Sequence, residues 1–174
     1  FIPINEKKKF FCIYCDPKFF YSKKILENFQ KLEFLISSTT GTSFIDKKYC
    51  KSKKIKIISL EKDSKFLSKI TSTAEHTFGL LLMLIRNYIP ALNSVNKGKF
   101  NRRPFGGYSM LSRLTLGIIG MGRIGQIVAE RARAFKMKII YFNRSKLSKD
   151  LEKDATYYSD LKSMLPNCDY ISLH

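Results

Sequence analysis

Negative charge is scarce in this chain. Fourteen Asp and Glu stand against 32 Lys and Arg, for a formal net charge of +18 over 174 residues. Long apolar runs are missing too. The longest, Phe78 to Ile85, falls far short of the roughly 20 residues that a membrane-spanning helix needs. No charged segment followed by an apolar one opens the chain, so no signal peptide is expected. There is no internal repeat and no low-complexity tract. Cysteine is sparse: Cys12 and Cys15 form a C-x-x-C, but Cys50 and Cys168 stand alone, and a zinc site would want a second pair. No metal is expected. Buried, reduced thiols are, which fits a cytoplasmic location. Phe1 opens the chain and His174 closes it inside an apolar run, so both ends read as cut.

The basic excess raises the question of nucleic acid. The lysines are scattered, as in Lys7-Lys8-Lys9, Lys23-Lys24, Lys47-Lys48 and Lys53-Lys54, and most flank apolar runs. Neither a groove-reading motif nor aromatics at base-stacking spacing accompanies them. A solvated basic surface is expected, with no nucleic-acid partner, and its field would attract small anions.

Short β-rich runs alternate with helical patterns, which argues for a parallel α/β architecture. Strands are expected at Phe10–Cys15, buried, and at Leu32–Ile36 and Ile55–Leu60. Helices are expected at Ser22–Gln30 and Ile45–Cys50, with a loop of small polar residues around Gly41. Ser72-Thr73-Ala74-Glu75 reads as a capping box. It should open an apolar helix running from Ala74 to about Ile89 and stopped by Pro90. Being apolar around much of its circumference, that helix should be buried between domains or subunits. The polar stretch Asn93–Ser112 reads as a crossing between domains, dividing the chain into 1–95 and 96–174. Beyond it come strand Leu116–Ile119, helix Arg123–Phe135 and strand Lys138–Phe142. A short helix capped by Ser159 (Tyr158–Leu165) and a third strand (Asp169–Leu173) follow.

Gly120-Met121-Gly122-Arg123-Ile124-Gly125 is a G-x-G-x-x-G between an apolar strand and an amphipathic helix, the context that this pattern requires of a dinucleotide site. Gly120 should permit a tight turn, Gly122 a close approach to pyrophosphate, and Gly125 close helix–strand packing. The helix N-terminus then offers free N–H groups and partial positive charge. The second strand ends in Asn143-Arg144-Ser145, where NAD-binding units usually carry an acidic residue on the ribose. An amide, a guanidinium and a hydroxyl tolerate a 2′-phosphate that Asp would repel. NADP is therefore favoured over NAD, although Asn143 could also hold the ribose of NAD with Arg144 stacked on adenine.

Thr115 to Gly125, closing with Ala134-Phe135-Lys136-Met137-Lys138, resembles the D-isomer-specific 2-hydroxyacid dehydrogenases. So do Thr40–Asp46, Thr73–Thr77, Gly98–Arg102 and Asp169–His174. The resemblance implies an incomplete flavodoxin-like first domain followed by the first half of a Rossmann domain. It implies backbone N–H groups of Gly41, Thr42 and Ser43 on a substrate carboxylate, with Phe44 standing where His is commoner. It puts Thr73 near the nicotinamide, the Arg123 and Ile124 backbone on the pyrophosphate, and His174 beside the cofactor at a strand end. His76 should be a satisfied structural histidine near the domain interface. The implied reaction is hydride transfer between NAD(P) and C2 of a small 2-hydroxy or 2-keto acid such as phosphoglycerate, hydroxypyruvate or glyoxylate. The Arg, Glu and His that perform it in the family lie beyond His174, so no catalytic residue is expected here, and the chain should be an inactive fragment of a homodimer. The alternative is a dinucleotide-sensing regulatory protein of the same fold.

Overall fold

The computed structural model describes residues 9–107 and 109–174, so Lys7 and Lys8 of the first basic cluster lie outside the described residues. The chain divides into two compact units, one ending at Lys69 and the other spanning Ile70–His174.

In the first unit, β1 (Cys12–Tyr14), β2 (Phe34–Ile36) and β3 (Lys56–Ile58) form a parallel sheet in sequence order. Cys12 is level with Phe34, and Phe34 with Lys56. Helices α1 (Lys23–Leu26) and α2 (Lys47–Ser52) are the crossovers, and α3 (Ser64–Leu67) follows β3. Asp46 caps α2 by accepting from the Tyr49 N–H at 3.0 Å, an arrangement that satisfies one orphan donor of the first turn. Cys15, Leu26, Leu35, Ile45 and Cys50 make the core. The strand expected to be buried from Phe10 onward is shorter and only partly covered, since Phe11 and Tyr14 are exposed. The four cysteines are free, and no metal-ligating cluster occurs among the described residues. Burial, helped by the neighbouring Cys50, pushes the Cys15 thiol up to about 11. Thiolate is the reactive form, so Cys15 and Cys50 should resist a thiol reagent at pH 8 until the chain is unfolded. More than two fast-reacting thiols in the folded protein would contradict this packing.

The second unit begins with α4 (Ser72–Ile85) and α5 (Tyr88–Asn96). Its sheet has the order β6-β5-β4-β7, all parallel, from β4 (Thr115–Ile119), β5 (Lys138–Phe142), β6 (Thr156–Tyr158) and β7 (Tyr170–Leu173). Helix α6 (Arg123–Ala134) joins β4 to β5, while α7 (Lys149–Glu152) and α8 (Leu161–Met164) are short. Ala74, Phe78, Leu81 and Ile85 of α4 pack into one core with Leu116, Ile118, Val128, Ala129 and Tyr141. That shared core is why the boundary falls at Lys69 and not at residue 95: α4 buries its face in the second unit.

Other expectations need correction. Pro90 does not stop α4. The break is at Asn87, whose φ of 51° is left-handed, and Pro90 sits in the first turn of α5, where a missing N–H does no harm. Among the described residues, no single helix is long and apolar enough to cross a membrane. The cap of α4 is Thr71, and Glu75 receives the Thr71 hydroxyl and the Arg131 guanidinium, the latter at 3.3 Å, in place of a capping box on Ser72. Asp160, not Ser159, caps α8 by accepting from the Ser163 N–H at 2.8 Å. Tyr158 belongs to β6, a strand not expected from sequence, so the final strand is the fourth of its sheet.

Candidate dinucleotide site and carboxylate loop

In the second unit the sheet order reverses at β4, which pairs with β5 on one side and β7 on the other. In open α/β sheets the crevice beyond the strand ends at such a reversal is where ligands sit. The three glycines of the β4–α6 loop have three different surroundings. Gly120 has a φ of +94°, and a Cβ there would lie 2.3 Å from the His174 carbonyl oxygen. Gly125 is buried, and its Cβ would lie 2.3 Å from the Gly120 carbonyl oxygen and 3.2 Å from Ile118 Cγ2. Gly122, by contrast, is exposed with nothing within 4 Å of its would-be Cβ. Two of the glycines are required by the fold, and the third faces open space.

Gly122 is the N-cap of α6 and no side chain caps it. Among the described residues the N–H groups of Gly122 and Ile124 have no partner. The start of this 12-residue helix therefore presents donors and the positive end of its dipole. The Arg123 guanidinium does not point to this space alone: its Nη1 donates to the Ile70 carbonyl at 2.9 Å. Ile124 packs against the core. These features fit a dinucleotide pyrophosphate.

Asn143 takes a role that the sequence reading missed. Its Oδ1 accepts from the Met121 N–H at 2.8 Å, which ties the end of β5 to the glycine loop. Its Nδ2 remains a donor, and Arg144 and Ser145 beside it are exposed. His174 closes the other side: its N–H donates to Ile119 at 2.9 Å, and its Nε2 lies 2.8 Å from Ser172 Oγ. Partial burial lowers the His174 pKa from its ordinary value, which favours the neutral ring. Thr73 lies exposed in the first turn of α4. His76 is exposed on the same helix and its ring makes no hydrogen bond among the described residues, so it is not the satisfied structural histidine expected from sequence.

In the first unit, the small polar loop after β2 is built by its own side chains. Thr39 Oγ1 donates to the Gly41 carbonyl at 2.7 Å and lies 2.8 Å from Ser37 Oγ. Thr42 is buried, whereas Gly41 and Ser43 are exposed. None of the backbone N–H groups of Gly41, Thr42 and Ser43 is engaged among the described residues. Thr42 also lines a cleft of about 420 Å³ with Lys47, Ile57, Ile58, Ser59 and Glu61. Phe44 meets Tyr21 edge-on at 6.3 Å and so belongs to the loop's support. Three free backbone donors in one loop, with Lys47 and Glu61 in the cleft that Thr42 lines, are chemically suited to an anion such as a carboxylate.

Residues 78–174 match the family model described as D-isomer specific 2-hydroxyacid dehydrogenase, NAD binding domain. The chain belongs to this family. It is 36% identical over 150 residues to the hydroxypyruvate reductase of Thermotoga maritima, a match covering 86% of this chain and 46% of that protein. Identity to the glyoxylate reductase of Thermococcus litoralis is 33% over 160 residues, again covering 46% of the relative and 87% of this chain. Among solved structures, D-lactate dehydrogenase from Aquifex aeolicus, complexed with NAD and lactic acid, superimposes with a TM-score of 0.88 at 34% identity, covering 99% of this chain and 50% of that one. The chain thus spans about half the length of these relatives.

Proposed function

We propose that this chain supplies the carboxylate loop and the pyrophosphate- and ribose-binding half of an NAD(P)-dependent dehydrogenase acting on a small, anionic 2-hydroxy or 2-keto acid. The observation that carries the reading is the contrast between Gly122, open to solvent at an uncapped helix start, and Gly120 and Gly125, packed against backbone. A glycine loop with no ligand would need the second and third of these properties, not the first. Relatives named as glyoxylate and hydroxypyruvate reductases support the substrate class.

When bound, the nicotinamide supplies or receives the hydride at C2 of the substrate. This chain's own residues bind and orient. The Gly122 and Ile124 N–H groups hold phosphate oxygens, and the Gly41–Ser43 amides take the substrate carboxylate. Asn143 fixes the loop and offers Nδ2 to the ribose. Reduced thiols support a cytoplasmic location as part of the same proposal.

NADP is the favoured cofactor because Asn143, Arg144 and Ser145 place no negative charge at the ribose. In the complete protein NADPH should bind more tightly than NADH, and Asn143→Asp should reverse the order. The substitution keeps an oxygen to accept from Met121 N–H, so it changes charge without releasing the loop. Equal affinities in the parent, read by calorimetry, would reject the NADP assignment.

The complete protein should also be a homodimer. Leu80 and Leu84 of α4 are exposed with Tyr88, Ile89, Leu92 and Val95 of α5, a larger apolar surface than a monomer usually leaves in water. A monomeric mass by light scattering at micromolar concentration would count against this.

A further inference from the structure

The turn after β5 is held by groups that the proposed function does not use. Tyr141 is fully buried on β5, yet its hydroxyl donates to Glu152 Oε1 at 2.9 Å and accepts from the Leu147 N–H at 3.1 Å. Glu152, on α7, is itself only 8% exposed, and its Oε2 lies 3.6 Å from Lys146 Nζ. Its carbonyl accepts from Arg133 Nη2 at 3.1 Å, which ties α7 to α6. At the other end of the turn, the Tyr157 hydroxyl donates to the Asn143 carbonyl at 3.4 Å, while the Asn143 side chain holds Met121. The two tyrosine rings lie 5.3 Å apart, tilted against each other.

The turn is therefore anchored at Asn143 and at Leu147. Arg144, Ser145 and Lys146 between the anchors are all exposed. A carboxylate taken out of water is destabilising unless it is hydrogen-bonded or paired, and this one is satisfied beneath the turn by the Tyr141 hydroxyl and by the Lys146 ammonium as an ion pair. A ligand gains affinity when the groups that grip it are already in place, because less ordering is lost on binding.

We propose that Tyr141 and Glu152 are positioning residues for cofactor selection: by fixing Leu147 they hold the Arg144–Lys146 turn in the one conformation that receives a phosphate monoester on the adenosine ribose. The proposal rests on the NADP reading above. Neither residue touches the dinucleotide. Their effect falls on the 2′-phosphate, which only this turn faces, and spares the pyrophosphate, which the Gly122 loop holds.

The test uses Tyr141→Phe in the full chain, which removes one oxygen and keeps the ring. Binding of NADPH and NADH is measured by calorimetry, and cleavage by trypsin after Arg144 and Lys146 is timed without cofactor. NADPH affinity should fall about tenfold, NADH affinity should change less than about twofold, and cleavage should accelerate several-fold. Glu152→Gln, which keeps an acceptor for the Tyr141 hydroxyl, should restore most of the resistance to trypsin that Glu152→Ala loses. Glu152→Ala also reads the same bond from its other end if Tyr141→Phe fails to fold. Equal loss of both cofactors would mark a merely structural tyrosine and overturn the proposal, as would unchanged cleavage. A parent that prefers NADH, with faster cleavage in the variant, would instead overturn the NADP reading and leave the turn's anchoring intact.

Discussion

Gly125→Val should destabilise the second unit by about 3 kcal/mol or more, whereas Gly122→Val should leave it folded and weaken cofactor binding at least about tenfold. At Gly125 the first added carbon would meet the Gly120 carbonyl oxygen at 2.3 Å, and that oxygen is backbone in a loop already fixed by Phe142 and Asn143. Neither side can move without breaking the β4–α6 packing, so overpacking and loop displacement add. A loss of that size lowers the melting temperature by more than about 10 °C in a domain near 100 residues. At Gly122 the φ is −80° and the would-be Cβ meets nothing. There valine loses only the N-cap preference, about 1 kcal/mol. Its branches would occupy the space next to the Ile124 N–H, so NADPH affinity should fall at least about tenfold, equivalent to about 1.4 kcal/mol. Thermal melts and calorimetry on the two variants separate the roles. Similar losses of stability in both would mean that the loop is a plain structural turn.

Purified by itself, the 174-residue chain should not reduce hydroxypyruvate or glyoxylate with either cofactor. The family resemblance implies a histidine, oriented by a carboxylate, for the proton exchange. Among the described residues neither histidine has that partner: the His76 ring is exposed and unbonded, and His174 leans on Ser172. Arg123 is engaged with the Ile70 carbonyl. Among the described residues, strand β7 pairs with β4 alone and its outer edge has no neighbour in this sheet, so the isolated chain should also self-associate at high concentration. Extension by about one more domain should confer activity if that segment carries the Arg, Glu and His of the family. Turnover by the isolated chain, abolished in Gly122→Val, would show that the catalytic groups lie within these residues.

The elements that matter for the site were legible because each rests on local chemistry. β4, α6 and β5 follow from an apolar strand, a glycine loop and an amphipathic period; the observed bounds of β4 and α6 differ from the expected ones by one residue, and those of β5 coincide. Of the small elements, α8 was expected, though with the longer bounds Tyr158–Leu165, whereas β6 and α7 were not. β6 reads Thr156-Tyr157-Tyr158, too short for alternation to show, and α7 and α8 have four residues each. The domain boundary was misplaced because periodicity says that α4 is apolar without saying which core receives Phe78 and Leu81. Asn143 was legible as the residue that ends β5 but not as the clamp on Met121, since that bond spans 22 positions. Tyr141 carried one readable signal, a hydroxyl at an inward strand position, where a buried Tyr needs a partner. Which partner it finds depends on Glu152, and only the folded α7 brings that carboxylate beneath the turn.

The central claim is that Gly120 to Gly125 and Asn143 to Ser145 form a working dinucleotide half-site. Calorimetric titration of the full chain with NADPH tests it most directly, with Gly122→Val as the paired control. The account predicts saturable one-to-one binding that is tighter than for NADH, and a loss of at least about tenfold in the variant with a melting temperature lowered by no more than about 4–8 °C. No saturable binding to the parent, or equal binding to both proteins, would contradict it.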